Sequence, residues 1–140
     1  MTAEPICKKR KLRIILDSNA FFVPLQFKID IFEELKKLLK LRFEPVLLSS
    51  VLQELEKIAK EGSPKMRKQA SFALQLAEKC ILVNVERARG SLDDTIVEVA
   101  GEWKCPVFTN DRELRGRLRD INVPVIYVRQ KSRLEIDGRI

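Results

Sequence analysis

The chain has 140 residues, 45% apolar and 34% charged, a composition that folds around one core and excludes a disordered chain. Lys and Arg outnumber Asp and Glu by 27 to 20, and the resulting +7 favours a polyanionic partner such as nucleic acid. The complete absence of histidine excludes Ser-His-Asp and Cys-His hydrolases and His-ligated zinc or iron, so a catalytic metal would need oxygen ligands, which suit Mg2+ or Mn2+.

The first element is predicted at residues 12–16 (LRIIL), a short buried strand that ends at Asp17. A helical period over 29–41 places Ile31, Leu35 and Leu38 on one stripe, with Phe32 and Leu39 beside it. Pro45 starts a second strand, VLL at 46–48. Ser49 or Ser50 is expected to cap the next helix, with Gln53 completing a capping box. After Gly62-Ser63-Pro64 a further helix is predicted with Met66, Ala70, Ala73, Leu74 and Ala77 on one face. Residues 81–85 read as a strand, 87–90 (RARG) as a loop, and Ser91 opens a helix with Ile96, Val99, Ala100 and Trp103 inward. A strand at 106–109 leads to Asn110 or Asp111, which starts a basic helix to about Leu118, and 124–128 is the last predicted strand.

This alternation implies a three-layer α/β/α sandwich with a central, mainly parallel sheet. The expected organisation is a basic segment at 1–11, one domain at 12–128 and a polar tail at 129–140 that is either loose or paired with something. Cys7, Cys80 and Cys105 are far apart and form no CxxC pair, so a reducing cytoplasm is the simpler inference. KKRKLR precedes only three apolar residues, too few for a signal-peptide core. With no apolar run near the roughly 20 residues that span a bilayer, no membrane is expected.

In such sheets ligands bind beyond the carboxyl ends of the strands. Asp17, Glu54, Asp93, Asp94 and Asp111 all fall just after predicted strands or in the first turns of the helices that follow. Carboxylates gathered at one edge repel unless a cation joins them. Each has a structural reading as well. Asp94 would be the last member of a capping box with Ser91, Asp111 a helix cap and Glu54 an exposed helix residue. An acid directly after a buried strand gains little structurally, so Asp17 has the weakest of these.

LDSNAF, SSVLQELEKI, SLDDTIVEVA and VFTNDRELRGRLR, in this order, resemble the PIN-domain family of metal-dependent nucleases. The match runs over 12–128. The family's first motif falls on Asp17, Ser18 and Asn19, and its second on Glu54. Its third falls on Asp93 with Ile96 and Ala100, leaving Asp94 at a position that is often acidic. Its fourth falls on Thr109 and Asp111. The TNDREL form is nearer to stand-alone archaeal and ribosomal-RNA-processing members than to the average VapC toxin.

The resemblance implies RNA cleavage with Mg2+ or Mn2+. Asp17, Asp93 and Asp111 would hold the metal, Glu54 directly or through water, with Asp94 beside them. Asn19 and Thr109 would orient the carboxylates, and Ser18 would assist them or cap a helix. Arg112, Arg115 and Arg119 share one helical face, Arg87 and Arg89 precede the Asp93 helix, and Lys8, Lys9, Arg10 and Lys11 form a cluster; all would contact RNA phosphates or lie on a solvated face. The partners implied are RNA and either an antitoxin or a ribosome-assembly protein. A homodimer is a further option, for which the tail and the helical hairpin at 50–79 could serve.

Three other readings stand beside this one. A receiver-like phosphoacceptor would want paired acids at the first strand and a Lys after the last, and neither is present. An RNA-binding scaffold with the same fold would need no complete acid set. A toxin and a processing enzyme would share the same chemistry.

Overall fold

The computed structural model describes residues 11–86 and 90–140. The expectations for Lys9 and its neighbours at 1–10, and for Arg87 and Arg89, lie outside them.

Among the described residues six strands form one sheet in the order β3-β2-β1-β4-β5-β6. They are β1 (Leu12–Leu16), β2 (Phe43–Leu48), β3 (Ile81–Val83), β4 (Val107–Phe108), β5 (Val125–Arg129) and β6 (Arg133–Asp137). Ile14, Ile15 and Leu16 have no exposed surface. A continuous apolar run of this kind suits a strand covered on both faces, and each such side chain contributes roughly 1.5–3 kcal/mol by leaving water. β1 therefore lies inside the sheet, parallel to β2 (Ile15 opposite Val46) and to β4 (Ile15 opposite Val107). β3 is an edge strand and exposes Ile81 and Leu82.

The connections are helical: α1 (Val23–Phe27), α2 (Ile31–Leu39), α3 (Ser49–Glu61), α4 (Pro64–Ala77), α5 (Leu92–Trp103) and α6 (Arg112–Asp120). α3 packs on α4, and α5 on α6. No helix among the described residues is long and apolar enough to cross a membrane. The three-layer α/β/α expectation holds.

Several local expectations change. Residues 18–27 form a short 3-10 helix (Ser18–Phe22) followed by α1, both without a forecast. The helix expected over 29–41 starts at Ile31, because the Asp30 side chain accepts from the Glu33 amide at 3.2 Å and so caps it. Ser49 and Ser50 do not cap α3: β2 runs directly into it, Leu48 is the N-cap, and no capping box forms. Ser49 Oγ instead accepts from the Val85 amide (3.0 Å) and donates to the Val85 carbonyl (3.4 Å). These bonds take Val85 out of the ladder, so the strand expected over 81–85 ends at Val83. Met66, expected on the inner face of α4, is 38% exposed; Ala70, Ala73 and Ala77 are the buried residues there.

The segment after 129 is paired rather than loose. Its Leu134 is buried, and β6 runs antiparallel to β5 with Tyr127 opposite Glu135. Asp137 fastens this hairpin to α6 through Arg115 Nε (3.0 Å) and Arg119 Nε (3.2 Å). Gly138 follows at φ +107, where a Cβ would meet the Arg119 guanidinium at 2.6 Å, so glycine fits this turn on both counts.

Candidate active site

From β1 the chain builds outward to β2 and β3; from β4 it builds the other way to β5. The switch point lies between β1 and β4, and a crevice opens at their carboxyl ends. Asp17 follows β1 there and Thr109 follows β4, tied by the Asp17 amide donating to the Phe108 carbonyl at 3.0 Å.

Asp17 is 4% exposed. Its Oδ1 accepts from the Ser18 amide (2.8 Å), which also starts the 3-10 helix; the cap is thus Asp17, not Ser18. Its Oδ2 accepts from the Thr109 hydroxyl (2.8 Å) and from Asn19 Nδ2 (3.1 Å). Asn19 Oδ1 accepts from the Asn110 amide (3.0 Å), and Thr109 Oγ1 accepts from the Asp111 amide (3.1 Å). Asn19 and Thr109 thus join Asp17 to the turn that carries Asp111.

These bonds stabilise the Asp17 carboxylate, yet its pKa is raised. Burial is the main cause, and the carboxylates of Asp93 and Asp111 add to it. Asp93 is also raised, first by its own desolvation and then by Asp111, with Glu113 and Asp94 contributing and Arg117 opposing. Asp17, Asp93 and Asp111 therefore share one electrostatic site.

The other acids differ. Asp94 belongs to the start of α5: its Oδ2 accepts from the Ser91 amide (2.9 Å), Ser91 Oγ accepts from the Asp94 amide (3.2 Å), and its Oδ1 pairs with Arg117 at 2.8 Å. The Ser91 amide bond and the Arg117 pair lower its pKa. Asp111 Oδ1 caps α6 by accepting from the Glu113 and Leu114 amides (2.9 and 3.3 Å). Glu54 is half-buried on the second turn of α3, without a hydrogen-bond or ion-pair partner among the described residues. One turn before it, Ser50 Oγ is buried and has no hydrogen-bond partner among the described residues. Arg115 and Arg119 are held by Asp137, and Arg112 is exposed.

Sequence reasoning missed Asn110, Glu113 and Arg117 as parts of this site. Asn110 Oδ1 accepts from the Val128 amide at 2.8 Å and so locks β5 to the turn; its place between Thr109 and Asp111 was the available signal.

The donor set suits a hard cation. Its donors are all oxygen, its central carboxylate is buried, and the charges of Asp93 and Asp111 disfavour the ionised form of Asp17 further. Among the described residues no three acids stand close enough to enclose an ion as they lie. A bound cation would offset a repulsion already built into the protein.

The PIN like domain model matches residues 14–131. The chain belongs to this family. Ribonuclease VapC4 of Methanocaldococcus jannaschii is 33% identical over 129 residues, covering 91% of this chain and 98% of that protein. The rRNA-processing protein fcf1 of Schizosaccharomyces pombe is 31% identical over 125 residues; these cover 87% of this chain but 62% of fcf1. Among solved structures, the PIN domain endonuclease Utp24 superposes with a TM-score of 0.76 at 30% identity, covering 91% of this chain and 92% of that one. The PIN-domain resemblance read from the four motifs is therefore correct. These relatives bear the names of ribonucleases, an RNA-processing protein and an endonuclease.

Proposed function

We propose that this PIN domain is a Mg2+- or Mn2+-dependent ribonuclease that hydrolyses phosphodiester bonds within RNA. One observation carries the reading: Asp17 is a buried carboxylate at the β1/β4 switch point, oriented by three donors and destabilised by Asp93 and Asp111.

Asp17, Asp93 and Asp111 would hold the ion, with Glu54 reaching it directly or through water. When bound, the ion supplies Lewis acidity at the scissile phosphate and a more acidic attacking water. The protein's own part is orientation. Thr109 and Asn19 fix Oδ2 of Asp17, and the Ser18 amide fixes Oδ1. Asp94 contributes by capping α5 and so placing its neighbour Asp93. Arg112, Arg115 and Arg119 contact RNA along α6. The names of VapC4, fcf1 and Utp24 support nuclease chemistry here. A cytoplasmic setting belongs to the same proposal, with an antitoxin or a ribosome-assembly protein as partner; co-purification separates the two roles.

The test is cleavage of a labelled RNA panel with Mn2+, Mg2+ or EDTA, run on wild type and Asp17→Asn. Cleavage is expected with either metal, and neither in EDTA nor in the variant. Full activity of Asp17→Asn would sink the reading.

A further inference from the structure

Beside the turn that carries Asp111 lies a groove of about 630 Å³. Its wall starts at Thr109 and Asn110, passes Arg112 and Arg115 of α6, and ends at Arg129 and Lys131 of the β5–β6 hairpin. Among the described residues no carboxylate lines it. Asn110 and Arg112, the neighbours of Asp111 in the chain, both line it, so one end of the groove adjoins the turn that carries that acid.

Its cations are arranged in two ways. Arg115 is fixed from two sides: Asp137 takes its Nε at 3.0 Å, and its guanidinium lies 3.8 Å from the centre of the Tyr127 ring. Such a plane offers its other face for stacking. Arg112 and Lys131 are exposed and have no ion-pair partner among the described residues. Lys131 also stands in the left-handed region, at φ 58, next to Gln130 at φ 53.

We propose that this groove is a subsite for the single-stranded RNA flank beside the scissile phosphate, with Arg112 and Lys131 on its phosphates and one base stacked against the Arg115–Tyr127 pair. The proposal rests on the ribonuclease reading for the identity of the strand. A cleft of this volume takes a nucleotide. Fixed guanidinium planes stack on unpaired bases, and a base within a duplex cannot reach one.

The experiment is fluorescence anisotropy of a labelled single strand of about 12 nucleotides with the full chain in EDTA, where no cleavage occurs. Arg112→Gln with Lys131→Gln is compared with Lys36→Gln and Lys79→Gln, whose residues line a different cleft beside Phe43 and Pro45. The groove pair is expected to weaken binding about tenfold and to flatten its salt dependence by roughly 0.7 per lost phosphate contact; the control pair should change it less than about twofold. Wild type should also prefer RNA to an abasic strand of equal length, and Arg115→Lys should erase that preference. Equal losses in the two pairs would overturn the proposal. So would equal wild-type affinity for the abasic strand, or equal competition by a poly-glutamate peptide. The two readings fail separately. Absent metal-dependent cleavage with a selective groove effect removes the nuclease chemistry and keeps the subsite; intact cleavage with no groove effect removes the subsite alone.

Discussion

Asp17 carries a conflict: its carboxylate is buried at the expense of its own solvation. Its raised pKa means that the folded protein binds this proton more tightly than the unfolded chain does. Asp93 behaves in the same way. Their contribution favours the fold at acid pH and is lost as pH rises through their raised folded pKa values. In metal-free protein the stability of wild type relative to Asp17→Asn should therefore fall on going from acid towards neutral pH, so that the variant shows the flatter decline or the steeper rise. Thermal melts in EDTA across this range check it; a steeper decline in the variant would contradict the assignment. Asp94 acts oppositely, since a lowered pKa gives stability present above the ordinary carboxylate value and lost as pH falls through the folded one. Thr109→Val removes the hydroxyl that donates to Asp17 and accepts from the Asp111 amide. It should cost about 1–3 kcal/mol in a denaturant titration and lower metal-dependent cleavage roughly 10- to 100-fold. Asp17 was singled out in the sequence because an acid directly after a buried strand gains little structurally; its capping of the 3-10 helix was not foreseen. Nor was the Arg117–Asp94 pair, because no local pattern links residues 23 apart.

Elements were legible where a period or a cap declared them. The capping box of Ser91 with Asp94 and the cap by Asp111 form as their residue types demand. The segment 18–27 was illegible because it breaks into two five-residue pieces, each too short to show a helical period. The sixth strand was hidden by composition: RLEID has only two apolar residues among charges, and its place is fixed by β5 and by Asp137 meeting two arginines. The role of Ser49 is likewise non-local, since its partner Val85 lies 36 residues on. Ser49→Ala leaves the Val85 amide without its acceptor. It should destabilise the fold by about 1–3 kcal/mol, read from a chemical melt, while an exposed site such as Lys57→Ala changes little. A smaller loss at Ser49 than at Lys57 would remove the strut.

For the whole molecule, fold class followed from the strand–helix alternation, and the expected place of the site from the rule that such sheets bind beyond the carboxyl ends of their strands. What separates an active nuclease from an RNA-binding scaffold on the same fold is whether metal couples to stability. An ion at a hundred times its Kd adds about 2.7 kcal/mol, several degrees of melting temperature for a chain of this size. Mn2+ should raise the wild-type melting temperature by that order and leave Asp17→Asn unchanged. No shift in wild type, with RNA binding intact, would favour the scaffold.

The strand order β3-β2-β1-β4-β5-β6 also sets a timetable. β1 and Asp17 leave the ribosome early, and the first half of the chain can lay β2 and β3 against one side of β1. The other side stays bare until Val107 and Phe108 arrive. Thr109, which aligns the Asp17 carboxyl, comes with them, and Asp111 and the basic hairpin follow. Domains form as units while synthesis proceeds, and the pairing of β1 with β4 is among the most distant in this one. A half-made chain therefore has the acid but not its alignment, its companions or its grip on a strand. The arrangement around Asp17 is thus all-or-none: it appears only when β4 and the turn that carries Asp111 close on β1.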